Sequence, residues 1–355
     1  MKYKLLQVLD FISNFCANFF NIAHLKEIFF LDILEVVDLN KVTLGNSGIE
    51  VSEFCLGVLP MGPLQADLPE NECINLIKRA IDNKVNFLDT AEMYSTQTYV
   101  GEGIKNVNRK DIVIATKSFA KTYDEMADSV NRSLEELGTD YIDIYHLHAA
   151  RASETVFDKR KGALDYLKKA RNEGIIRAIG ISTHGVRAVN KAAEVEDIDV
   201  VYPLINKKGM GIVQGSLEDM TQAIKRCHQA RKGIYAMKVL AGGNLIDDLE
   251  ASLNFVRDMP EIDSISIGVT SELELYYNLH QFGVQGIDID SLPDPRKRKK
   301  LYIAKLFCTG CGECVKNCPS QALELVDEKA RVDHDKCIFC GYCSPECPSF
   351  AIRLL

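Results

Sequence analysis

No stretch of this 355-residue chain stays apolar for the roughly 20 consecutive residues that a membrane-spanning helix needs. The first 38 residues come nearest, with Leu5, Leu6, Phe11, Phe15, Phe19, Phe20, Phe29 and Phe30, but Asp10, Lys26, Glu27, Asp32 and Glu35 break the run. Asp10 falls inside what would be the apolar core of a secretory signal, and no small-x-small cleavage site follows cleanly. An amphipathic helix on a membrane or partner and a loosely packed appended segment both fit this stretch. Positive charge is scarce as well. Lys and Arg total 42 against 50 Asp and Glu, a net charge of -8 with no evident basic face to neutralise phosphates, so a nucleic-acid partner is excluded. A Gly-x-Gly-x-x-Gly turn is also missing: Gly57 and Gly62 have the wrong spacing, which argues against a doubly wound dinucleotide-binding sheet. What remains is ordinary for a soluble globular chain, 46% apolar and 26% charged.

Cysteine, in contrast, is abundant and unevenly placed. Eight of the twelve sit in the last 48 residues, in two copies of one phrase: Cys308-x2-Cys311-x2-Cys314-x3-Cys318-Pro319 and Cys337-x2-Cys340-x2-Cys343-x3-Cys347-Pro348. A zinc ribbon wants two cysteine pairs on a longer loop, and a disulfide framework wants an oxidising compartment. Neither accounts for matching runs each closed by a proline, whereas four thiolates per run suit a [4Fe-4S] cube. Residues 301 to 355 resemble bacterial dicluster ferredoxins. The resemblance implies two [4Fe-4S] clusters in a small α+β unit, with the fourth cysteine of each run crossing over: Cys308, Cys311, Cys314 and Cys347 for one, Cys337, Cys340, Cys343 and Cys318 for the other. Such clusters point to a reducing cytoplasm. Cys16, Cys55, Cys73 and Cys227 read as small buried hydrophobes.

From Val42 onward short β-branched runs alternate with helical stretches. The expected strands are 53–58, 85–89, 111–117, 141–147, 175–181, 199–205, 233–239 and 263–269. Between them apolar residues recur three or four apart, as in Cys73, Ile77, Ala80 and Ile81 or Met126, Val130, Leu134 and Leu137, the latter followed by Gly138 at a C-cap position. Eight strands separated by helices predict a parallel (β/α)8 TIM barrel with its chemistry at the C-terminal strand ends. The expected organisation is an extension over 1–38, the barrel over 39–282, a linker over 283–300 and the ferredoxin-type unit over 301–355.

Polar residues do gather at the expected strand ends: Asp89 and Tyr94 after the second, Lys117 at the third, His146 and His148 at the fourth. With the opening Leu44-Gly45-x2-Gly48-x2-Val51-Ser52, residues 42 to 282 resemble the aldo-keto reductase superfamily, and the whole chain its ferredoxin-fused branch. The resemblance implies hydride transfer from NAD(P)H to a carbonyl, with Tyr94 as proton donor, Lys117 lowering its pKa, Asp89 holding Lys117, and His148 orienting the carbonyl oxygen. His146 matches an apolar family position and is expected to be an interior histidine with a hydrogen-bonding partner. For the cofactor the resemblance implies Ser182 and Thr183 at strand five, Asn206 after strand six, and Thr270, Ser271, Glu274 and Asn278 after strand eight. Two departures stand out. Tyr202 replaces a common glutamine, and Ala236-Met237-Lys238-Val239-Leu240 replaces Ala-Tyr-Ser-Pro-Leu, so the aromatic partner of nicotinamide is lost and Tyr202 is the candidate to supply it. Glu274 falls near the family's arginine for the 2'-phosphate; it favours a ribose hydroxyl, or else is an exposed helix residue.

The linker carries Asp288, Asp290, Pro293, Pro295 and the run Arg296-Lys297-Arg298-Lys299-Lys300, a solvated hinge or a surface for an acidic redox partner. Clusters pass single electrons while nicotinamide does not readily accept one, and no flavin site is recognisable. The expected function is therefore an iron-sulfur-containing carbonyl reductase in which the clusters stay outside the covalent path. The alternatives are a ferredoxin-linked electron-transfer protein with the barrel as docking module, or a reductase driven externally through the clusters with flavin assistance. The expected partners are a small carbonyl compound and a redox protein.

Overall fold

A computed structural model describes residues 39–294, 300–337 and 341–354. The extension over 1–38, most of the basic run (Arg296 to Lys299) and Cys340 lie outside them. The chain opens with an antiparallel hairpin, β1 (Lys41–Thr43) and β2 (Glu50–Ser52). Eight parallel strands follow: β3 (Phe54–Gly57), β4 (Phe87–Asp89), β5 (Val113–Ser118), β6 (Ile142–His148), β7 (Ile176–Thr183), β8 (Val200–Pro203), β9 (Gly233–Met237) and β10 (Ser264–Gly268). They hydrogen-bond in sequence order, and β10 returns to β3 to close the barrel. Each falls on an expected strand.

Alternation along the strands separates two cores. Cys55, Phe87, Val113, Ala115, Ile144, Ala178, Val200 and Tyr235 fill the barrel interior. Their neighbours Phe54, Leu56, Leu88, Ile114, Tyr145, Ile179, Val201 and Ile234 pack outward against the helices. The helices form where the apolar spacing placed them. Tyr123–Leu137 starts with a Thr122/Glu125 capping box and stops at Gly138, whose φ of 61° lies in the left-handed region.

The N-terminal ends of the strands are sealed. Leu44, Ile49 and Val51 of the hairpin enter the interior core, and at Gly45 a Cβ would come within 2.4 Å of the Gly233 nitrogen. Three strand-opening aspartates repeat one device there: Asp143, Asp199 and Asp263 each accept from a backbone N–H of the preceding strand, at Ile114, Ile179 and Ile234. These three carboxylates are thus engaged by backbone at the lower rim, and in such barrels the chemistry sits at the opposite one.

The cysteine-rich segment forms two small antiparallel pairs. β11 (Leu301–Ile303) pairs with β14 (Ile352–Leu354), and β12 (Leu323–Val326) with β13 (Lys329–Val332). This unit packs on the open rim: Phe350 joins the barrel's interior core, Arg151 donates to the Pro348 carbonyl at 2.9 Å, and the Tyr302 hydroxyl donates to the Leu64 carbonyl. Among the described residues no helix is long and apolar enough to cross a membrane.

Candidate active site and cysteine-rich unit

β4 ends at Asp89, and a single turn of 3-10 helix over Glu92–Tyr94, closed by Ser95 at φ 55°, carries Tyr94 back over the rim. The five-residue spacing is the length of that return. Asp89, Lys117, His146 and His148 share the parity of the interior residues Phe87, Ala115 and Ile144, so all four side chains face inward. Lys117 is 1% exposed, and its ammonium donates to both Asp89 oxygens and to the Thr90 carbonyl, each at 2.7 Å. Asp89 accepts in addition from Tyr235 at 3.0 Å and Tyr202 at 3.4 Å. Burial pushes the Asp89 carboxyl up and the Lys117 ammonium down, and their mutual attraction opposes both shifts.

Tyr94 lies beneath this pair, with the Lys117 ammonium 5.0 Å from its ring centroid. The hydroxyl makes no hydrogen bond with the described residues, and Lys117 has spent its three donors elsewhere. Contrary to the expectation from sequence, Tyr94 is not acidified. Burial, then the Asp89 charge, hold it well above its ordinary value; the cation that acts in the opposite direction is Arg353. An ion pair presents little net charge to a neighbour, so Lys117 cannot act here as a lone ammonium. His148 meets Tyr94 edge-on with ring centroids 5.8 Å apart and stacks on Phe119 at 4.2 Å. Burial, reinforced by Lys117, keeps it neutral, and its Nδ1 is buried without a partner. His146 is interior, with Nε2 2.7 Å from the Tyr235 hydroxyl. Its ring fits because β7 has Gly180 opposite, where a Cβ would lie 2.1 Å from His146 Nδ1.

A cavity of about 180 Å³ opens beside Tyr94 and Asp89. Tyr202, Met237, Lys238, Thr270, Glu274 and Asn278 line it; Ser182, Thr183, Asn206 and Ser271 do not. Asn206 is spent on its own loop, donating to the Met210 and Lys238 carbonyls and accepting from the Lys208 and Met210 amides. Thr183 accepts from the Gly185 amide, and Ser271 caps the helix Glu272–Gln281. Tyr202 is not an open stacking platform: its ring lies 3.9 Å from that of Tyr235 at 12°, and Lys117 sits 5.2 Å from its centroid. Glu274 is not an exposed helix residue. It faces the cavity, one oxygen accepting from the Thr270 amide and hydroxyl, and burial raises its pKa. Asn278 donates to the Glu274 carbonyl, while its Oδ1 is buried with no partner on the cavity wall. That orphaned acceptor fits a ligand's N–H donor such as an adenine amino group.

Two wall residues were not anticipated. Arg353 and Leu354 of β14 enter the cavity from the cysteine-rich unit. Their fit depends on Gly242 and Gly243, where a Cβ would meet Arg353 Cδ at 2.3 Å and the Leu354 carbonyl at 2.0 Å. The expected insulation of the barrel chemistry from the cysteine-rich unit is therefore not spatial. Tyr235 was likewise missed, though interior parity on β9 and a hydroxyl in need of a partner would have flagged it.

In the cysteine-rich unit, Cys308, Cys311, Cys314 and Cys347 line one void, and Cys318, Cys337 and Cys343 line another. The thiols crowd one another: Cys314 is pushed up to about 11 by burial and then by Cys347, Cys308 and Cys311. No three ligating side chains among the described residues converge on a single-ion position. Thiols spread around a void suit a cube with iron at four corners better than one metal ion. Backbone amides already point at the sulfurs, Ala322 at Cys318 (3.2 Å), Ala351 at Cys347 (3.3 Å) and Ala330 at Cys308 (3.4 Å).

The aldo/keto reductase family model matches residues 53–281, and a 4Fe-4S dicluster domain model matches 300–348. Similar curated proteins include the uncharacterized oxidoreductase YqkF of Bacillus subtilis, 28% identical over 48% of this chain and 58% of its own length. L-galactose dehydrogenase of Arabidopsis thaliana is 31% identical over 39% of this chain and 47% of its own length. Methylglyoxal reductase DkgA of Escherichia coli is 26% identical over 51% and 67%. The matches thus span between about half and two thirds of these relatives. Among solved structures, a Bacillus halodurans aldo-keto reductase in its holo form superposes with a TM-score of 0.59 at 20% identity, covering 73% of this chain and 94% of that one. Barrel, rim residues and sequence agree: the chain belongs to the aldo/keto reductase family and joins to its barrel a 4Fe-4S dicluster domain.

Proposed function

We propose that this oxidoreductase reduces a small carbonyl compound with NAD(P)H, and that Tyr94 donates the proton. The bound nicotinamide supplies a hydride to the carbonyl carbon; the chain's task is to hold the oxygen and protonate it. The observation that carries the reading is the meeting at one rim of a protonated, unpartnered Tyr94 hydroxyl, a buried Asp89–Lys117 pair and a neutral His148. A tyrosine held above its ordinary pKa is fully protonated at neutral pH, and so is always loaded. A neutral imidazole can donate to the carbonyl oxygen without adding charge to a buried site. After the proton leaves, the tyrosinate lies near Arg353, the cation that favours it. Two relatives named for methylglyoxal and L-galactose support a small carbonyl substrate. Asn278 supports nucleotide binding, and Glu274, a carboxylate in the cavity wall, supports NADH over NADPH. Each set of thiols is assigned one [4Fe-4S] cube.

Tyr94→Phe tests the assignment, because it removes the proton and keeps the ring. Carbonyl reduction should fall about 10²-fold or more while nucleotide affinity, followed by fluorescence titration, stays the same. Activity within a few-fold of the parent would falsify it. A second reading, electrons arriving through the clusters, is favoured by the position of Phe350 to Leu354 between Cys347 and the cavity. Reduction driven by a one-electron dye but not by NADH or NADPH would select it.

A further inference from the structure

Arg353 is 3% exposed, and among the described residues its guanidinium faces no carboxylate. Its one hydrogen bond there is to the carbonyl of Ile352, at 2.9 Å, and its charge lies 4.4 Å from the Phe350 ring centroid. Lys238, which is half-buried, stands at that ring too. Its backbone takes φ 58°, its ammonium lies 5.0 Å from the same Phe350 ring centroid, and no acidic side chain among the described residues pairs with it. Arg353 disfavours the charged form of Lys238, and Arg353 itself is pulled down to about 10, chiefly by burial. A buried guanidinium and a half-buried ammonium side by side, with no carboxylate partner among the described residues, are costly to fold unless an anion joins them. Both border the cavity that holds Tyr94 and Asp89, and Asp89 is already neutralised by Lys117.

We infer that Arg353 and Lys238 form an anion subsite for the substrate, so that the carbonyl compound reduced at Tyr94 carries a carboxylate next to its carbonyl. The inference rests on the proposed carbonyl reduction and adds its substrate class, the 2-oxo acids. A guanidinium offers two parallel donors to a carboxylate, which fixes the carbonyl beside it as well as its charge. The specificity determinant then comes from the iron-sulfur unit, on a residue outside the matched 53–281 segment of the barrel family. The other anion that could reach this wall is the pyrophosphate of the nucleotide, and the experiment separates the two.

Anaerobic holoprotein and its Arg353→Met variant are compared with pyruvate and with its uncharged methyl ester, alongside calorimetric titration of oxamate, a non-reducible carboxylate, and of NADH. Losing one partner of a buried charged pair should lower kcat/KM for pyruvate and oxamate affinity at least about 30-fold. Because Arg353 also eases proton loss from Tyr94, methyl pyruvate reduction falls too, but at least about tenfold less than pyruvate reduction; NADH affinity should change less than about threefold, and Arg353→Lys should recover part of the loss. An equal loss for pyruvate and its ester, or unchanged oxamate affinity, overturns the inference. So does a drop confined to NADH affinity, which assigns the cations to the pyrophosphate. Should Arg353→Met lose its cluster absorption, Lys238→Met carries the same comparison. If the parent reduces no carbonyl with either nucleotide, the proposed reaction fails, yet oxamate binding still decides whether the subsite exists.

Discussion

Replacing Lys117 by methionine should cost the barrel about 3–5 kcal/mol, the usual penalty for leaving one member of a buried ion pair behind. The figure is large because Lys117 is almost fully buried and all three of its donors are used, two of them on Asp89. For a barrel of this size it corresponds to a fall of roughly 6–20 °C in Tm. The deficit should depend on pH, with a definite sign. Burial raises the Asp89 carboxyl, and Lys117 is the main influence against that rise, so its removal lifts the folded-state pKa further. In the unfolded chain Asp titrates near 3.9. The folded variant therefore binds a proton more tightly than the unfolded chain, its stability is greatest in acid, and it declines as pH climbs through the raised value. Anaerobic thermal unfolding followed by circular dichroism at pH 5 and pH 8, with cluster absorption as a check on integrity, should show the larger deficit at pH 8. Adding Asp89→Asn keeps one acceptor oxygen, turns the other position into an amide donor that a tyrosine hydroxyl can accept from, and removes the stranded charge, so the double variant should regain more than half of the loss. A double variant no more stable than the single one, or a deficit equal at both pH values, would refute the reasoning.

Gly180→Ala should destabilise the barrel by about 1–3 kcal/mol, since its Cβ would collide with His146, and urea unfolding measures this. Protein purified without oxygen should hold roughly eight irons, counted chemically, in two cubes. Cys318→Ser should damage the cluster of Cys337 and Cys343 and spare that of Cys308, Cys311 and Cys314, a contrast that electron paramagnetic resonance of the reduced protein can resolve. Gly242→Ala, which strains a residue at φ 66° and displaces Arg353, should mimic Arg353→Met in kcat/KM for pyruvate while NADH binding persists.

The barrel was legible because periodicity survives in the sequence: β-branched runs, helical spacing and strand-end parity each reflect burial on one face, which local residue types report. The same parity brought Asp89, Lys117 and His148 to one rim, and the doubled cysteine spacing marked the thiol sets. Contacts between distant segments were not legible. Tyr202 looked available for stacking because nothing in the sequence reveals that Tyr235, from the next strand, covers its ring. Asn206 looked like a ligand contact because a saturated amide and a free one are written with the same letter. Arg353 lay hidden for a related reason: an arginine in a short terminal strand is usually solvated, and only the packing of β14 against Gly242 and Gly243 takes it out of water.

That packing also bears on how the two modules can evolve. A ferredoxin unit exchanged for one from another protein would bring equivalent clusters but not the guanidinium, and the barrel would accept it only where Gly242 and Gly243 leave room for the incoming strand. Shuffling of whole domains is therefore restricted, while point changes at position 353 remain open. If Arg353 holds the substrate as proposed, new preferences among carbonyl compounds can arise in the cysteine-rich module while every residue of the barrel stays the same.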